Sequence, residues 1–232
     1  DLDGEIVNLF KVLRDNGDEL TEKIRLTPFA RDEFDLSYQP TSDPIEQARR
    51  TLVRANMGFG SAAASGQPTG FRANSNRSGT TPSHDWANVP KNMPIIIERL
   101  RGVVIENRDA SKTMLQHDSP DTLHYVDPTY VKSTRTTSGI GAYKHEMTDD
   151  DHRALAGVLK GLQGMVIVSG YPSELYDEIY EGWTLVTRDA MADKARPRVE
   201  CLWLNAAART PSLFCKLYPS LVNDLKRLEE GV

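Results

Sequence analysis

Four consecutive residues, Asp127, Pro128, Thr129 and Tyr130, stand where the apolar run TLHYV at 122–126 stops. A carboxylate accepts hydrogen bonds. Proline fixes its own φ and leaves a carbonyl with no N–H beside it. Tyrosine offers a flat apolar face with a polar tip. Together they supply two acceptors and a stacking plate, a set that suits a planar group carrying an amino donor, such as a nucleobase. The place favours a site, because open α/β sheets hold ligands outside the carboxyl ends of their strands. The motif is short, however, and a plain turn after a strand uses the same residue types. On the tetrapeptide alone both readings stand.

The elements that would position these residues are legible from periodicity. Ile6, Val7, Leu9, Phe10 and Leu13 share one face of a helix predicted over 3–15. A second helix is expected over 17–25, ended by Pro28. Asp43 and Pro44 read as the cap and first position of a helix over 44–57. The run from 58 to 83 is rich in Gly, Ser, Asn, Thr and Pro and reads as loops with a hairpin. Another helix is expected over 92–102. From there the pattern alternates. Strands are predicted at 102–106, 122–126, 165–170, 183–188 and 199–205, with helices over 149–162 and 171–180. Short apolar strands alternating with helices predict an α/β sheet.

The chain of 232 residues is long enough for one large domain or a domain with an insertion. No apolar run approaches the length of a membrane span. Cys201 and Cys215 have no histidine at metal spacing and read as ordinary reduced cysteines. The net charge of −5 hides an uneven distribution. Between Arg49 and Arg101 eight cations meet two acids, so that stretch carries +6 and the remainder −11. Seven of the eight are arginine, the residue suited to phosphate and base edges. A solvated surface with chance clustering gives the same count.

The wider context resembles the Dam-type DNA adenine methyltransferases of bacteria and phages. The resemblance is carried by TLHYVDPTY, by RLRGVVIENRDA before it, and by TRTTSGIGAYKHEMTDDDHRALAGVL and GMVIVSGYPSELYDEIYEGW after it. The opening DLDGEIVNLFKVLRD and the closing ECLWLN match as well, and the likeness is weakest over 58–95. It implies a Rossmann-like class I methyltransferase sheet carrying a mostly helical target-recognition insertion. It implies methyl transfer from S-adenosylmethionine to the exocyclic N6 of an adenine flipped out of double-stranded DNA. Asp127 and the Pro128 carbonyl would accept from the amino group, and Tyr130 would stack on the base. Catalysis is then mostly positioning, with no need of a metal or a covalent intermediate. Thr129 stands where the family has a second proline.

The resemblance also assigns the cofactor and DNA contacts. Asp1 matches an acid on the cofactor ribose and Asp109 one near its adenine, with Asp127 counted among the cofactor contacts too. Residues 1–29 and 96–232 would form the catalytic domain and 30–95 the target-recognition insertion. Arg54, Asn56, Arg72 and Arg77 in that insertion are expected to meet DNA. So are Lys132 and Arg135 in the loop after Tyr130, and Tyr171 after the next strand. No glycine-rich cofactor loop occurs in the family's place, and the chain opens on Asp1 rather than Met. An N-terminal segment of the cofactor site is therefore expected to lie outside this sequence. A cytoplasmic monomer of a bacterial or phage-infected cell is the expected setting. Two alternatives remain open: a DNA-binding remnant without catalysis, and a methyltransferase acting on another amino group.

Overall fold

The computed structural model describes residues 1–60, 66–73, 79–135, 143–192 and 196–209. They fall into two compact units, Asp1–Ala110 with Thr137–Glu146, and Ser111–Thr136 with Met147–Val232.

The first unit is helical. Helix α1 spans Gly4–Asp15 and is capped by Asp3, whose side chain accepts the Glu5 N–H. Helix α2 spans Gly17–Leu26 and α3 spans Arg31–Leu36. Helix α4, Pro44–Met57, starts as its sequence dictates: Asp43 accepts the Ile45 N–H, and Pro44 fills a first-turn position where no N–H is needed. Helix α5, Pro82–Leu100, begins ten residues before its predicted start and runs through Pro90 and Pro94. Each proline removes one i→i−4 bond. Burial of Trp86, Met93 and Leu100 on its inner face holds the helix together, and the Trp86 ring N–H donates to the Thr27 carbonyl at 2.8 Å. Leu20, Ile24, Val53 and Met57 are sealed in the same core. Gly17 lets α5 approach closely, since a Cβ there would lie 2.5 Å from Ile97 Cδ1.

Charge is built into this core as well. Arg49 is tied to Glu46 and Glu33, and Arg50 also reaches Glu46, each at 2.7 Å. Hydrogen bonds from Arg49 and then Arg50 hold the Glu46 carboxyl down to about 2, from an ordinary 4.5. A depressed carboxylate contributes stability above its unfolded value and loses it on protonation. The chain should therefore lose stability as the pH falls from about 4.5 toward 2. Glu46→Gln should flatten that part of a urea-midpoint against pH curve, and an unchanged curve would refute the assignment.

The stretch 102–106, predicted as a strand, forms none. Positive φ at Gly102 ends α5, and the residues that follow form no ladder among the described residues. A strand needs a bonded neighbour. Here Val103 N–H turns back to the Leu100 carbonyl at 3.0 Å, the Asp1 nitrogen donates to the Glu106 carbonyl at 3.0 Å, and Val104 is 72% exposed.

The second unit is a mixed α/β layer. Helix α6, Ala110–Gln116, starts at the last residue of the first unit and leads into it. Strands β1 (Leu123–Val126), β2 (Met165–Gly170), β3 (Thr184–Ala192) and β4 (Arg196–Leu204) form a sheet in the order β1-β2-β4-β3. The β1–β2 pair is parallel and the other two pairs are antiparallel. Helix α7, Asp149–Lys160, connects the parallel pair. Thr148 and Asp151 form a reciprocal capping box at its start, and three aspartates face the positive end of its dipole. Helix α8, Glu174–Ile179, starts later than predicted because Pro172 keeps Tyr171 extended and Ser173 caps it. A short α9, Ala206–Arg209, closes the described chain. The core lies under β2 and β4, where Tyr176 meets Trp203 edge to face at 4.9 Å. Cys201 is buried there as a free thiol, and Cys215 lies outside the described residues.

Candidate functional site

Parallel pairing places the carboxyl ends of β1 and β2 side by side, with Val126 opposite Val168. Asp127 and Ser169 are the next residues along each strand. Ser169 is buried, and its hydroxyl lies 2.7 Å from Asp127 Oδ1 and 3.3 Å from the Val126 carbonyl. One hydroxyl has one proton, and the shorter contact to the charged oxygen takes it. Asp127 is thus held by Oδ1. Its Oδ2 and the Pro128 carbonyl accept no hydrogen bond among the described residues.

Tyr130 is anchored separately. Its hydroxyl donates to Glu200 Oε2 on β4 at 3.3 Å. Burial, then the negative charges of Asp127 and Glu200, push that hydroxyl above its ordinary range, so it stays a donor. Its ring meets Tyr171 at 4.6 Å and 82°. Thr129 Oγ1 is buried without a hydrogen-bond partner among the described residues, so the extra donor that Thr brings in place of proline is not spent on the loop. A 3-10 turn over Lys132–Thr134 follows. Lys132 is exposed on it, and Arg135 caps it with its backbone N–H on the Lys132 carbonyl at 3.2 Å.

Tyr171 is covered in turn by Arg198 of β4, whose guanidinium carbon lies 5.0 Å from the ring centroid. Arg198 Nη1 donates to the Thr134 carbonyl at 2.9 Å. Thr134, Tyr171, Pro172, Asp189, Arg198 and Val199 are among the residues lining an open pocket of about 660 Å³. Three side chains here escaped the sequence reading: Ser169, Glu200 and Arg198. Ser169 carried a signal, a lone hydroxyl at the end of the apolar run MVIVSG. Glu200 and Arg198 carried none, since only the β2–β4 pairing brings them to this edge.

In the first unit, Asp1 is exposed beside Glu106. Its Oδ1 accepts the Asp3 N–H at 2.7 Å, and Asn107 donates to its carbonyl at 3.0 Å. Asp109 is exposed just before α6. Arg54 is placed otherwise than expected. It is 5% exposed, pairs with Glu5 and donates to the Ser37 carbonyl. Its charge belongs to the packing of α1, α3 and α4 rather than to a face open to DNA. Asn56 donates back to the Leu52 carbonyl at 2.8 Å. Arg72 lies across from it, its Nη1 3.4 Å from the Asn56 carbonyl, on a short bridge between Gly58 and Phe71. The structure therefore brings Asn56 and Arg72 together. Arg77 lies outside the described residues.

No group of three metal-binding side chains occurs among the described residues. Nor is any described helix long and apolar enough to cross a membrane. Compared with known proteins, residues 1–193 match the family model of D12 class N6 adenine-specific DNA methyltransferases. No curated protein matches the chain.

Proposed function

We propose a role for each of these side chains on the ground that the chain belongs to the D12 class N6 adenine-specific DNA methyltransferase family. The family reaction is methylation of adenine N6 in DNA, and it requires a methyl donor. S-adenosylmethionine is the donor we assign. Exposed carboxylates at Asp1 and Asp109 suit it, because they accept from the hydroxyls of a ribose and the amino group of an adenine. When bound, it supplies a methyl group activated by a cationic sulfur.

The chain's own residues do the rest. Asp127 Oδ2 and the Pro128 carbonyl each accept one hydrogen of the adenine amino group. That fixes the amino plane and turns the nitrogen lone pair toward the methyl group. Asp127 is also the acceptor in reach for the proton the nitrogen sheds after transfer. The Tyr130 ring stacks on the base once it has left the duplex. The observation that carries this reading is a carboxylate locked through Oδ1 with Oδ2 left open, at the carboxyl end of a parallel strand. DNA contacts are assigned to Asn56, Arg72 and Arg77 in a target-recognition segment over 30–95, and to Lys132, Arg135 and Tyr171.

The direct test is nucleoside mass spectrometry after incubation with S-adenosylmethionine and unmethylated duplex. N6-methyladenine is the expected product. Methylcytosine alone, or methylated protein without methylated DNA, would overturn the assignment. Ser169 acts through Asp127 and is a positioning residue. Ser169→Ala removes one hydrogen bond to a charged oxygen, so kcat should fall about tenfold. The KM values for DNA and donor should hold, and Ser169→Thr should restore most of the rate. A rise in KM with kcat intact would contradict this role.

A further inference from the structure

The pocket beside Tyr171 is not used by the chemistry assigned to Asp127, Pro128 and Tyr130. It is lined by one cation, Arg198, and one acid, Asp189. Arg198 is unusually fixed for a side chain with so many rotamers. Its guanidinium lies over the Tyr171 ring and its Nη1 is tied to the Thr134 carbonyl. Nε and Nη2 make no hydrogen bond to the described residues. A planar cation held at two points, with donors left over and a partly open flank, is preorganised for an oxyanion.

A nucleobase is a poorer occupant. It needs an aromatic face to stack on, and the ring in this pocket, Tyr171, already meets Arg198 and the ring of Tyr130. The neighbouring walls, Pro172, Ala190 and Val199, are apolar and offer no edge to read. Arg188 and Lys132, on the adjacent strand and turn, are exposed and add positive charge nearby; Asp189 and Glu200 oppose it. Its Tyr171 also meets the ring of Tyr130, the residue assigned to the flipped base, so the strand that carries that base would pass beside the pocket.

We propose that this pocket seats a backbone phosphate of the DNA strand that carries the target adenine, with Arg198 as its cation. The inference rests on the reading that DNA is the substrate. Asp189 then works against the phosphate, limiting how tightly the strand is held.

Fluorescence anisotropy with a labelled unmethylated duplex, titrated from 50 to 200 mM salt, tests it with the full chain. Each phosphate neutralised contributes roughly −0.9 to the slope of log K against log salt. Arg198→Ala should weaken binding and reduce the magnitude of that slope by about one unit. Arg198→Lys should keep the slope, and it serves as the informative variant if the alanine protein fails to fold. Asp189→Asn should bind DNA more tightly than the parent. Three results would sink the proposal: an unchanged slope with relaxed sequence choice in Arg198→Ala, which means a base contact; no change in either Arg198 variant; or weaker binding by Asp189→Asn. If the parent chain itself showed no salt-dependent DNA binding, the functional reading would fall and take this inference with it.

Discussion

Replacing Asp127 with alanine is expected to abolish methyl transfer, lowering the single-turnover rate by about 10³-fold, while the chain still binds DNA. The magnitude follows from the role proposed for the residue. The substitution removes one of the two acceptors assigned to the amino group, together with the carboxylate assigned to receive its proton. It removes nothing from the core, since Asp127 is exposed and Ser169 would merely lose a partner. Asp127→Asn keeps the shape and one acceptor oxygen, so it should retain more activity than alanine. Rapid-quench transfer of a labelled methyl group reads the rate, and anisotropy reads the binding. Transfer at the parental rate in the alanine variant would remove Asp127 from the mechanism. Lost DNA binding with transfer intact would contradict the assignment as firmly.

Arg54→Ala should act on a different property altogether. Taking away one partner of a largely buried, hydrogen-bonded ion pair costs about 3–5 kcal/mol. Glu5 is about one-third exposed, which places the expected loss toward the lower figure. Arg54 also satisfies the Ser37 carbonyl and lies 5.9 Å from the Tyr38 ring centroid, so its removal strips several contacts at once. Chemical denaturation should show a lowered midpoint with a similar slope. The salt dependence of DNA binding, measured where the variant remains folded, should match the parent. A stable variant with a shallower salt dependence would return Arg54 to the DNA-contact set.

These two residues mark what a sequence discloses and what it withholds. Local rules were legible wherever neighbours in the chain decide the outcome. Asp43, Pro44 and the apolar spacing after them fix α4 at Pro44–Met57, as predicted. The apolar run at 165–170 is β2 to the residue, and Thr148 caps α7 as its type requires. Asp127 could be singled out because a strand end is visible locally. Arg54 could not be placed, since its partner Glu5 is 49 residues away and a charge count carries no pairing. Residues 102–106 have the composition of a strand but lack a bonded neighbour, which no window of five residues reveals. The helix that begins at Pro82 is predicted only from residue 92, and the burial of Trp86 and Met93 that carries it through Pro90 and Pro94 depends on packing. Glu200 became meaningful only once the pairing of β2 and β4 put it beside Tyr130. The mixed α/β class was readable, and the anchors of the site were not.

The loop from Asp127 to Tyr130 is fastened at both ends to the sheet, to Ser169 on β2 and to Glu200 on β4. Fixing a residue's backbone costs about 1–2 kcal/mol of conformational entropy. For these four residues that cost falls due when the sheet forms, long before any base arrives. Under the proposed function, adenine then meets a template whose order is already set, and the free energy released on its capture is left for unstacking it from the duplex.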